Sequence, residues 1–241
     1  MQLLVSVRSE DEVAAAVSGG ADIIDAKEPS RGSLGPVTPE VLHAIAARVP
    51  ETVALSAALG DVGSPDSAAR AVAGVSVSPR RAATYVKLGF AGVGPETVVG
   101  SLVAAALAAT VAGRILVTVA YADHERAGSP APEAILRATL AAGARALLID
   151  TCEKDGSGLL DWLTPTRLRT LSADARSAGL LLALAGSLDL AAIDRVAGLA
   201  DVVGVRGAAC RGGRDGRVDE ALVRRIRERL RRVRSTLAHA P

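Results

Sequence analysis

The chain has 241 residues, a formal net charge of +2 and an aromatic content of only 2%. This length suits one α/β barrel domain with a substantial core, and the scarcity of aromatic side chains excludes base stacking as a main means of binding. No apolar stretch reaches the length of a membrane span, and the segment Met1 to Val7 is too short for a secretory signal. We therefore expect a cytoplasmic protein without a membrane partner.

Short β-branched or aliphatic runs alternate eight times with longer, alanine-rich amphipathic stretches. The predicted strands are Leu3 to Val7, Asp22 to Lys27, Val53 to Leu59, Thr84 to Phe90, Ile115 to Tyr121, Ala146 to Cys152, Leu180 to Ala185 and Val202 to Arg206. The predicted helices are Glu10 to Ser18, Pro39 to Arg48, Ser67 to Val75, Pro95 to Val111, Pro132 to Ala142, Pro165 to Ala178, Leu190 to Ala197 and Val218 to Thr236. Several helices begin with a capping signal such as Thr38-Pro39, and several end on glycine.

Eight βα units predict an α/β fold, a TIM (β/α)8 barrel that occupies residues 1–241 as a single domain. A doubly wound open sheet is the alternative. It is disfavoured because no glycine-rich fingerprint follows the first strand and no change of composition divides the chain into two halves.

The last helix, at about 218–236, is rich in arginine. Its buried stripe is expected to consist of Leu222, Ile226, Leu230 and Val233. Arginines at three- and four-residue steps around that stripe indicate a solvated terminal helix, and cations suit a helix C-terminus. A phosphate-neutralising surface is the alternative. We expect no nucleic-acid partner.

Lysine occurs three times, against twenty-five arginines, and each lysine lies at the end of an apolar run. These residues are Lys27, Lys87 and Lys154, which fall on or just after the second, fourth and sixth predicted strands. An arginine keeps its proton near neutral pH, whereas a lysine with a lowered pKa can act as nucleophile or general base. Because alternate strands of a TIM barrel contribute to one interior layer, the three amines are expected to converge at the C-terminal mouth.

Each of two strands also carries an aspartate near its lysine. Asp25 and Lys27 are two residues apart on one strand and point to the same side, so Asp25 is expected to be the carboxylate neighbour of Lys27. Asp150 ends the sixth strand, and Lys154 follows four residues later. Two structural ion pairs that close the barrel mouth are the alternative interpretation.

The ends of the last two strands indicate a phosphate site. Gly186-Ser187 follows the seventh strand, and Gly207-Ala208 follows the eighth, where barrel enzymes commonly hold phosphate on backbone N–H groups. Glycine allows the main chain to approach an anion closely. Arg206 is expected as an additional cation, and the segment Arg31 to Gly35 as a second anion pocket, a lid or a simple turn.

Metal chemistry has little support in the sequence. The three histidines are scattered, and no His/Cys cluster has the spacing of a metal site. Cys152 and Cys210 follow apolar runs and are expected to be reduced, packed thiols.

Eight segments together resemble the (5-formylfuran-3-yl)methyl phosphate synthase family, which makes the furan precursor of methanofuran. They are Gly20-Ala21-Asp22-Ile23-Ile24-Asp25-Ala26-Lys27, Gly32-Ser33-Leu34-Gly35, Gly60-Asp61-Val62, Tyr85-Val86-Lys87-Leu88-Gly89, Tyr121-Ala122-Asp123, Asp150-Thr151 with Lys154-Asp155-Gly156, Leu184-Ala185-Gly186-Ser187 and Val203-Gly204-Val205-Arg206-Gly207-Ala208-Ala209-Cys210. The resemblance runs in order from Met1 to about Arg229. The chain departs from the family's pattern between Gly63 and Val77 and in the last helix.

The resemblance implies a TIM barrel that joins two glyceraldehyde 3-phosphate molecules without a metal or an organic cofactor. It implies that Lys27 is the Schiff-base lysine and Lys87 the proton-transfer lysine, with Asp25, Asp150 and Lys154 as their supporting groups. The partner is then a small phosphorylated triose, and we expect a homo-oligomer.

Two other classes of function stay open at this point. Another Schiff-base aldolase or a transaldolase would keep the lysines and act on a different sugar phosphate. A nucleic-acid-binding protein would use the basic last helix and would not need the lysines.

Overall fold

A closed barrel of eight parallel strands forms the centre of the molecule in the computed structural model, which describes residues 1–77 and 84–238. Each strand pairs with the next one along the chain, and the last pairs with the first. The barrel strands are β1 (Gln2–Val7), β2 (Ile23–Ala26), β3 (Ala54–Asp61), β4 (Thr84–Gly89), β5 (Arg114–Tyr121), β6 (Ala146–Asp150), β7 (Leu181–Leu184) and β8 (Val202–Val205). The predicted TIM barrel is confirmed.

The helices lie between the strands in the predicted order. They are α1 (Val13–Ser18), α2 (Pro39–Arg48), α3 (Pro65–Ala73), α4 (Glu96–Ala108), α5 (His124–Ala127), α6 (Pro132–Ala141), α7 (Leu159–Trp162), α8 (Pro165–Ser177), α9 (Leu190–Val196) and α10 (Glu220–Ala238). The short helices α5 and α7 were not predicted. Within the described ranges, no helix is both long and apolar enough to cross a lipid bilayer.

Helix α3 begins two residues before the predicted start. The Ser64 side chain accepts a hydrogen bond from the Ser67 backbone N–H at 3.2 Å, and Pro65 occupies the first turn. A serine N-cap followed by proline stabilises a helix start because the cap satisfies a free N–H and proline has none to satisfy.

The two-residue period of the strands decides which side chains reach the barrel interior. Along β4, Tyr85 and Lys87 line the interior cavity, whereas Val86 and Leu88 belong to the apolar layer between barrel and helices. A short hairpin of β9 (Cys210–Arg211) and β10 (Arg217–Val218) follows β8 and connects the barrel to α10.

Helix α10 packs on the barrel through Val223, Ile226 and Leu230, all of which are buried. The prediction of Leu222 in this stripe was wrong, because that residue is only half-buried and Val223 takes its place. The reason is a close approach to α1, since a Cβ added at Gly19 would lie 2.5 Å from the Val223 Cβ.

Two arginines of α10 fasten the helix to its neighbours. Arg227 donates two hydrogen bonds to Asp22, at 2.7 and 3.0 Å, and Arg229 Nε donates to Asp194 at 2.6 Å. These contacts agree with the interpretation of α10 as a structural terminal helix.

The junction of β8 and β1 is held by a buried ion pair between Arg206 and Glu12. Arg206 Nη1 lies 2.5 Å from Glu12 Oε2, and Nη2 lies 3.1 Å from Oε1. The guanidinium also donates to the carbonyl groups of Ser6, Arg214 and Gly216. Every nitrogen of this side chain therefore has a partner, and the ion pair ties β1, β8 and the hairpin together.

We predict that Glu12→Ala lowers the free energy of unfolding by about 3–5 kcal/mol, because it leaves the buried Arg206 charge without a counter-charge. Urea denaturation measures the change. Asp194→Ala is the matched control: it removes the exposed pair with Arg229 and should cost no more than about 1 kcal/mol. Equal losses in the two variants would contradict the prediction.

Candidate active site

The charged residues predicted from the sequence meet at the mouth of the barrel. Lys27 follows the last residue of β2, Lys87 lies within β4, and Asp150 ends β6. These three and Lys154 line one cavity of about 380 Å³. The lining also includes Gly186, Ser187, Arg206, Gly207 and Ala208. The expected convergence of the lysines is therefore present in the structure.

Asp25 contacts Lys87 rather than the lysine on its own strand. Lys87 Nζ lies 2.7 Å from Asp25 Oδ1, and Ser6 Oγ donates a hydrogen bond to Oδ2 at 2.8 Å. The strand between them contributes only small inward residues, Ser56 and Ala58, so the lysine has room to cross β3. Asp25 is an electrostatic neighbour of Lys27, as expected, but its ion pair is with Lys87 on the far side of β3.

Both members of this pair are buried. Burial raises the pKa of the Asp25 carboxyl, but the amines of Lys87 and Lys27 outweigh this effect and hold the pKa below its ordinary value. Asp25 is therefore ionised at neutral pH and stabilises positive charge in the interior.

The pairing of Asp150 with Lys154 is confirmed. Lys154 Nζ donates to Asp150 Oδ1 at 2.9 Å and to Thr151 Oγ1 at 2.8 Å. Burial raises the pKa of Asp150, but the lysines Lys154 and Lys27 and the Thr151 N–H lower it to about 2.

Lys27 is the exception among the three lysines, because it forms no ion pair with a carboxylate in the described part of the chain. Burial lowers the pKa of its amine to about 7; Asp150 opposes this shift, and the charge of Lys87 adds to it. A large fraction of Lys27 is therefore neutral at physiological pH and can attack a carbonyl carbon.

The four residues whose backbone N–H groups are predicted to bind phosphate line the same cavity. Within residues 1–77 and 84–238, the N–H groups of Gly186, Ser187, Gly207 and Ala208 have no backbone acceptor. Gly186 has φ +104°, and a Cβ there would lie 3.2 Å from the Thr151 backbone nitrogen, so this position requires glycine. Free amides at the edge of a cationic cavity favour an anion.

Arg206 does not serve as the cation expected beside these amides. Its guanidinium is neutralised by Glu12 and fully occupied by backbone carbonyl groups, as described above. The sequence could not reveal this because Glu12 lies 194 residues away along the chain.

Comparisons with known proteins show the family of this chain. Residues 3–227 match the family model described as 4-HFC-P synthase. The (5-formylfuran-3-yl)methyl phosphate synthase of Methanocaldococcus jannaschii is 37% identical over 235 residues, which cover 95% of this chain and 99% of that protein. The chain belongs to the 4-HFC-P synthase family. The resemblance seen in the sequence motifs is thereby confirmed.

A second relative in the family, the synthase of the same name from Methanopyrus kandleri, is 39% identical over 236 residues, covering 95% of this chain and 98% of the relative. Among solved structures, phosphoribosyl anthranilate isomerase from Thermus thermophilus shares the fold with a TM-score of 0.62 and 14% identity. The match covers 97% of this chain and 100% of that chain.

Sequence reasoning missed Asp123, a buried residue that positions the loop of Lys154 in this family member. Asp123 Oδ1 accepts a hydrogen bond from the Cys152 N–H at 2.7 Å, and Oδ2 accepts one from the Glu153 N–H at 2.8 Å. These two residues immediately precede Lys154. The available signal was the position of Asp123, two residues beyond a predicted strand end.

Sequence reasoning also missed Arg214, which lines the main cavity next to Gly207. It lies in the hairpin between β9 and β10, a short element that the alternation of strands and helices does not reveal.

We predict that the Lys27 amine titrates near pH 7 in the folded protein, against 10.5 for an ordinary lysine. Because the folded pKa is lowered, the neutral amine accumulates above about pH 7, whereas in the unfolded chain it accumulates only above about pH 10.5. Competitive acetylation with acetic anhydride, followed by mass spectrometry of the Lys27 peptide, measures the midpoint.

The same protein in guanidinium chloride is the control for this titration. Asp150→Asn should move the folded midpoint lower still, because the Asp150 carboxylate favours the charged amine. A folded midpoint near 10.5 would contradict the proposed desolvation of Lys27.

Proposed function

We propose that this protein condenses two molecules of glyceraldehyde 3-phosphate into (5-formylfuran-3-yl)methyl phosphate through a Schiff base on Lys27, for the biosynthesis of a methanofuran-type cofactor. The observation that carries the proposal is the buried Lys27 amine with its pKa of about 7, placed in one cavity with two ion-paired lysines and four free amides. Membership of the 4-HFC-P synthase family supports the identity of the product.

The atoms balance without an oxidant or a metal. Two trioses of formula C3H7O6P lose one phosphoric acid and two waters and leave C6H7O6P, the formula of the product. The reaction therefore needs one new carbon–carbon bond, one elimination of phosphate and a dehydrative ring closure, all of which an imine and proton-transfer groups can support.

The connectivity of the product assigns the imine to the triose that loses its phosphate. In the furan, the formyl carbon is joined to a ring carbon and then to a ring CH, so these three carbons come from one triose. An imine at C1 makes the C2 proton acidic, and its removal expels phosphate from C3. The C2–C3 double bond that remains carries the C2 hydroxyl, so this enol is nucleophilic at C3 and its C2 becomes a carbonyl carbon when C3 attacks.

The second triose keeps its phosphate and becomes the branched part of the furan. Its C2 must be a carbonyl carbon when C3 of the first triose attacks, so a proton moves from C2 to C1 beforehand. Loss of the new hydroxyl as water, ring closure onto C2 of the first triose and loss of a second water give the furan. Hydrolysis of the imine then frees the formyl group and Lys27.

The remaining residues supply proton transfer and binding in this scheme. Lys87, ion-paired with Asp25, and Lys154, ion-paired with Asp150, are the amines beside Lys27 in the cavity and move the protons. The amides of Gly186, Ser187, Gly207 and Ala208 bind a substrate phosphate.

Incubation of the purified protein with glyceraldehyde 3-phosphate tests the function as a whole. The proposal requires a furan aldehyde chromophore and one phosphate released for each furan formed. A Schiff-base aldolase or transaldolase with another substrate would exchange or join trioses without releasing phosphate, so the phosphate measurement separates these activities.

We predict that borohydride added with substrate attaches the triose to the peptide that contains Lys27. Lys27→Arg should abolish both the attachment and turnover, because a guanidinium that keeps its proton does not form an imine. Peptide mapping by mass spectrometry locates the adduct. Attachment to Lys87 or Lys154 in an active Lys27→Arg variant would overturn the assignment.

We further predict that Lys87→Arg lowers kcat by roughly 10²-fold or more, since it preserves the charge beside Asp25 but removes a proton that can be transferred. Borohydride trapping at Lys27 should persist, which distinguishes lost proton transfer from lost folding. Near-normal turnover would place Lys87 among the structural residues.

A further inference from the structure

Two arginines line the main cavity in the described part of the chain, and only one of them forms an ion pair with a carboxylate there. Arg206 is neutralised by Glu12 at 2.5 Å, and both side chains are buried. Arg214 forms no ion pair with a carboxylate among the described residues. Among the described residues that line the cavity, Arg214 is therefore the arginine without a carboxylate in ion-pair contact.

The protein nevertheless holds Arg214 in a defined place. Nη2 donates hydrogen bonds to the carbonyl groups of Gly32, at 2.8 Å, and Pro29, at 3.1 Å, in the loop that follows Lys27. The Arg214 carbonyl accepts a hydrogen bond from Arg206 Nε at 3.1 Å. Both ends of the residue are thus anchored.

The position of Arg214 is next to the free amides. A Cβ built on Gly207 would lie 3.6 Å from the backbone nitrogen of Arg214, so the two residues are in contact. Nε and Nη1 of Arg214 have no hydrogen-bond acceptor among the described residues. Two donor nitrogens and a positive charge therefore remain for a ligand in the cavity that Gly207 and Ala208 also line.

The half-buried Arg214 guanidinium keeps donors that a ligand could use. Burial lowers its pKa and the charge of Arg206 adds to this shift, whereas the carboxylates of Asp150, Asp215 and Glu28 oppose it. Its Nη2 is bound only to neutral carbonyl groups among the described residues, and carbonyl groups accept hydrogen bonds but do not neutralise a charge. An oxyanion with several acceptor atoms would complete its hydrogen bonding, and arginine suits phosphate because its planar donors match the oxygen atoms.

We propose that Arg214 binds the phosphate group of the triose phosphate, together with the backbone amides of Gly207 and Ala208. That the phosphate belongs to a triose rests on the proposed function; the recognition of a phosphomonoester does not.

Binding of glycerol 3-phosphate tests this role independently of catalysis, because the probe has the phosphate but no carbonyl group and cannot form an imine. We expect Arg214→Gln to raise its Kd about 10- to 100-fold, the range for loss of a charge-assisted hydrogen bond. Isothermal titration calorimetry measures the Kd. Arg217→Gln is the matched control: it alters an exposed arginine of the same hairpin, whose ion pair with Asp11 is long at 3.9 Å, and should leave the Kd unchanged.

A second measurement separates phosphate binding from support of the loop. Borohydride trapping of unphosphorylated glyceraldehyde at Lys27 should stay within about twofold of the unmodified protein in Arg214→Gln. Parallel losses of glyceraldehyde trapping and glycerol 3-phosphate binding would overturn the proposal, and so would an unchanged Kd or absence of binding by the unmodified protein. Arg214→Lys, which keeps the charge, should give an intermediate Kd and replaces the glutamine variant if that variant does not fold.

The outcomes for the two proposals are distinguishable. If glycerol 3-phosphate binding depends on Arg214 but no furan forms from glyceraldehyde 3-phosphate, the phosphate site stands and the assigned reaction fails. If furan forms while the Kd is the same in Arg214→Gln, the reaction stands and the role of Arg214 fails.

Discussion

The barrel mouth brings together three lysines, of which Lys27 and Lys87 are buried and Lys154 is half-buried, and among the described residues two buried aspartates form ion pairs with two of them. Asp25 is taken by Lys87, and Asp150 by Lys154. Lys27 shares their field without a carboxylate of its own, so its positive charge is the least stabilised of the three. The site can relieve that charge by releasing a proton, which makes a nucleophile, or by binding an anion such as the phosphate of the proposed substrate.

The two ion pairs therefore also affect the protonation of Lys27. If Asp25 were paired with Lys27, as the spacing along β2 suggests, the amine would be held in its charged form and would be a poor nucleophile. Asp25 instead contacts Lys87 across β3, so it does not hold Lys27 in the charged form. This contact depends on the small side chains of Ser56 and Ala58 on β3. Two small residues with no chemistry of their own therefore contribute to the reactivity of Lys27.

The sequence contains enough information for the eight strands, their order and the inward direction of Lys87, because each follows from local periodicity and from the closure of eight βα units. The ion pair between Asp25 and Lys87 could not be predicted from the sequence. It depends on the stagger between β2 and β4, which are separated by β3. The same limit applies to Arg206, whose partner Glu12 lies near the other end of the barrel sequence. Arg214 and Asp123 were missed for a related reason. Their contacts lie in loops, where the sequence has no helix or strand periodicity from which a contact could be predicted.

Arginine and lysine occupy different kinds of position in this protein, and the difference follows from how tightly each side chain holds its proton. Arginine supplies the contacts that need a permanent charge and a planar fork of donors, as in the pairs of Arg206 with Glu12 and Arg227 with Asp22. All three lysines line the cavity, where the proposed reaction needs an amine that can lose its proton. The role proposed for Arg214 follows the same rule, because a phosphate dianion is best bound by a cation that keeps its charge. A site that must hold an anion and also present a neutral nucleophile at one pH needs both kinds of side chain within one cavity.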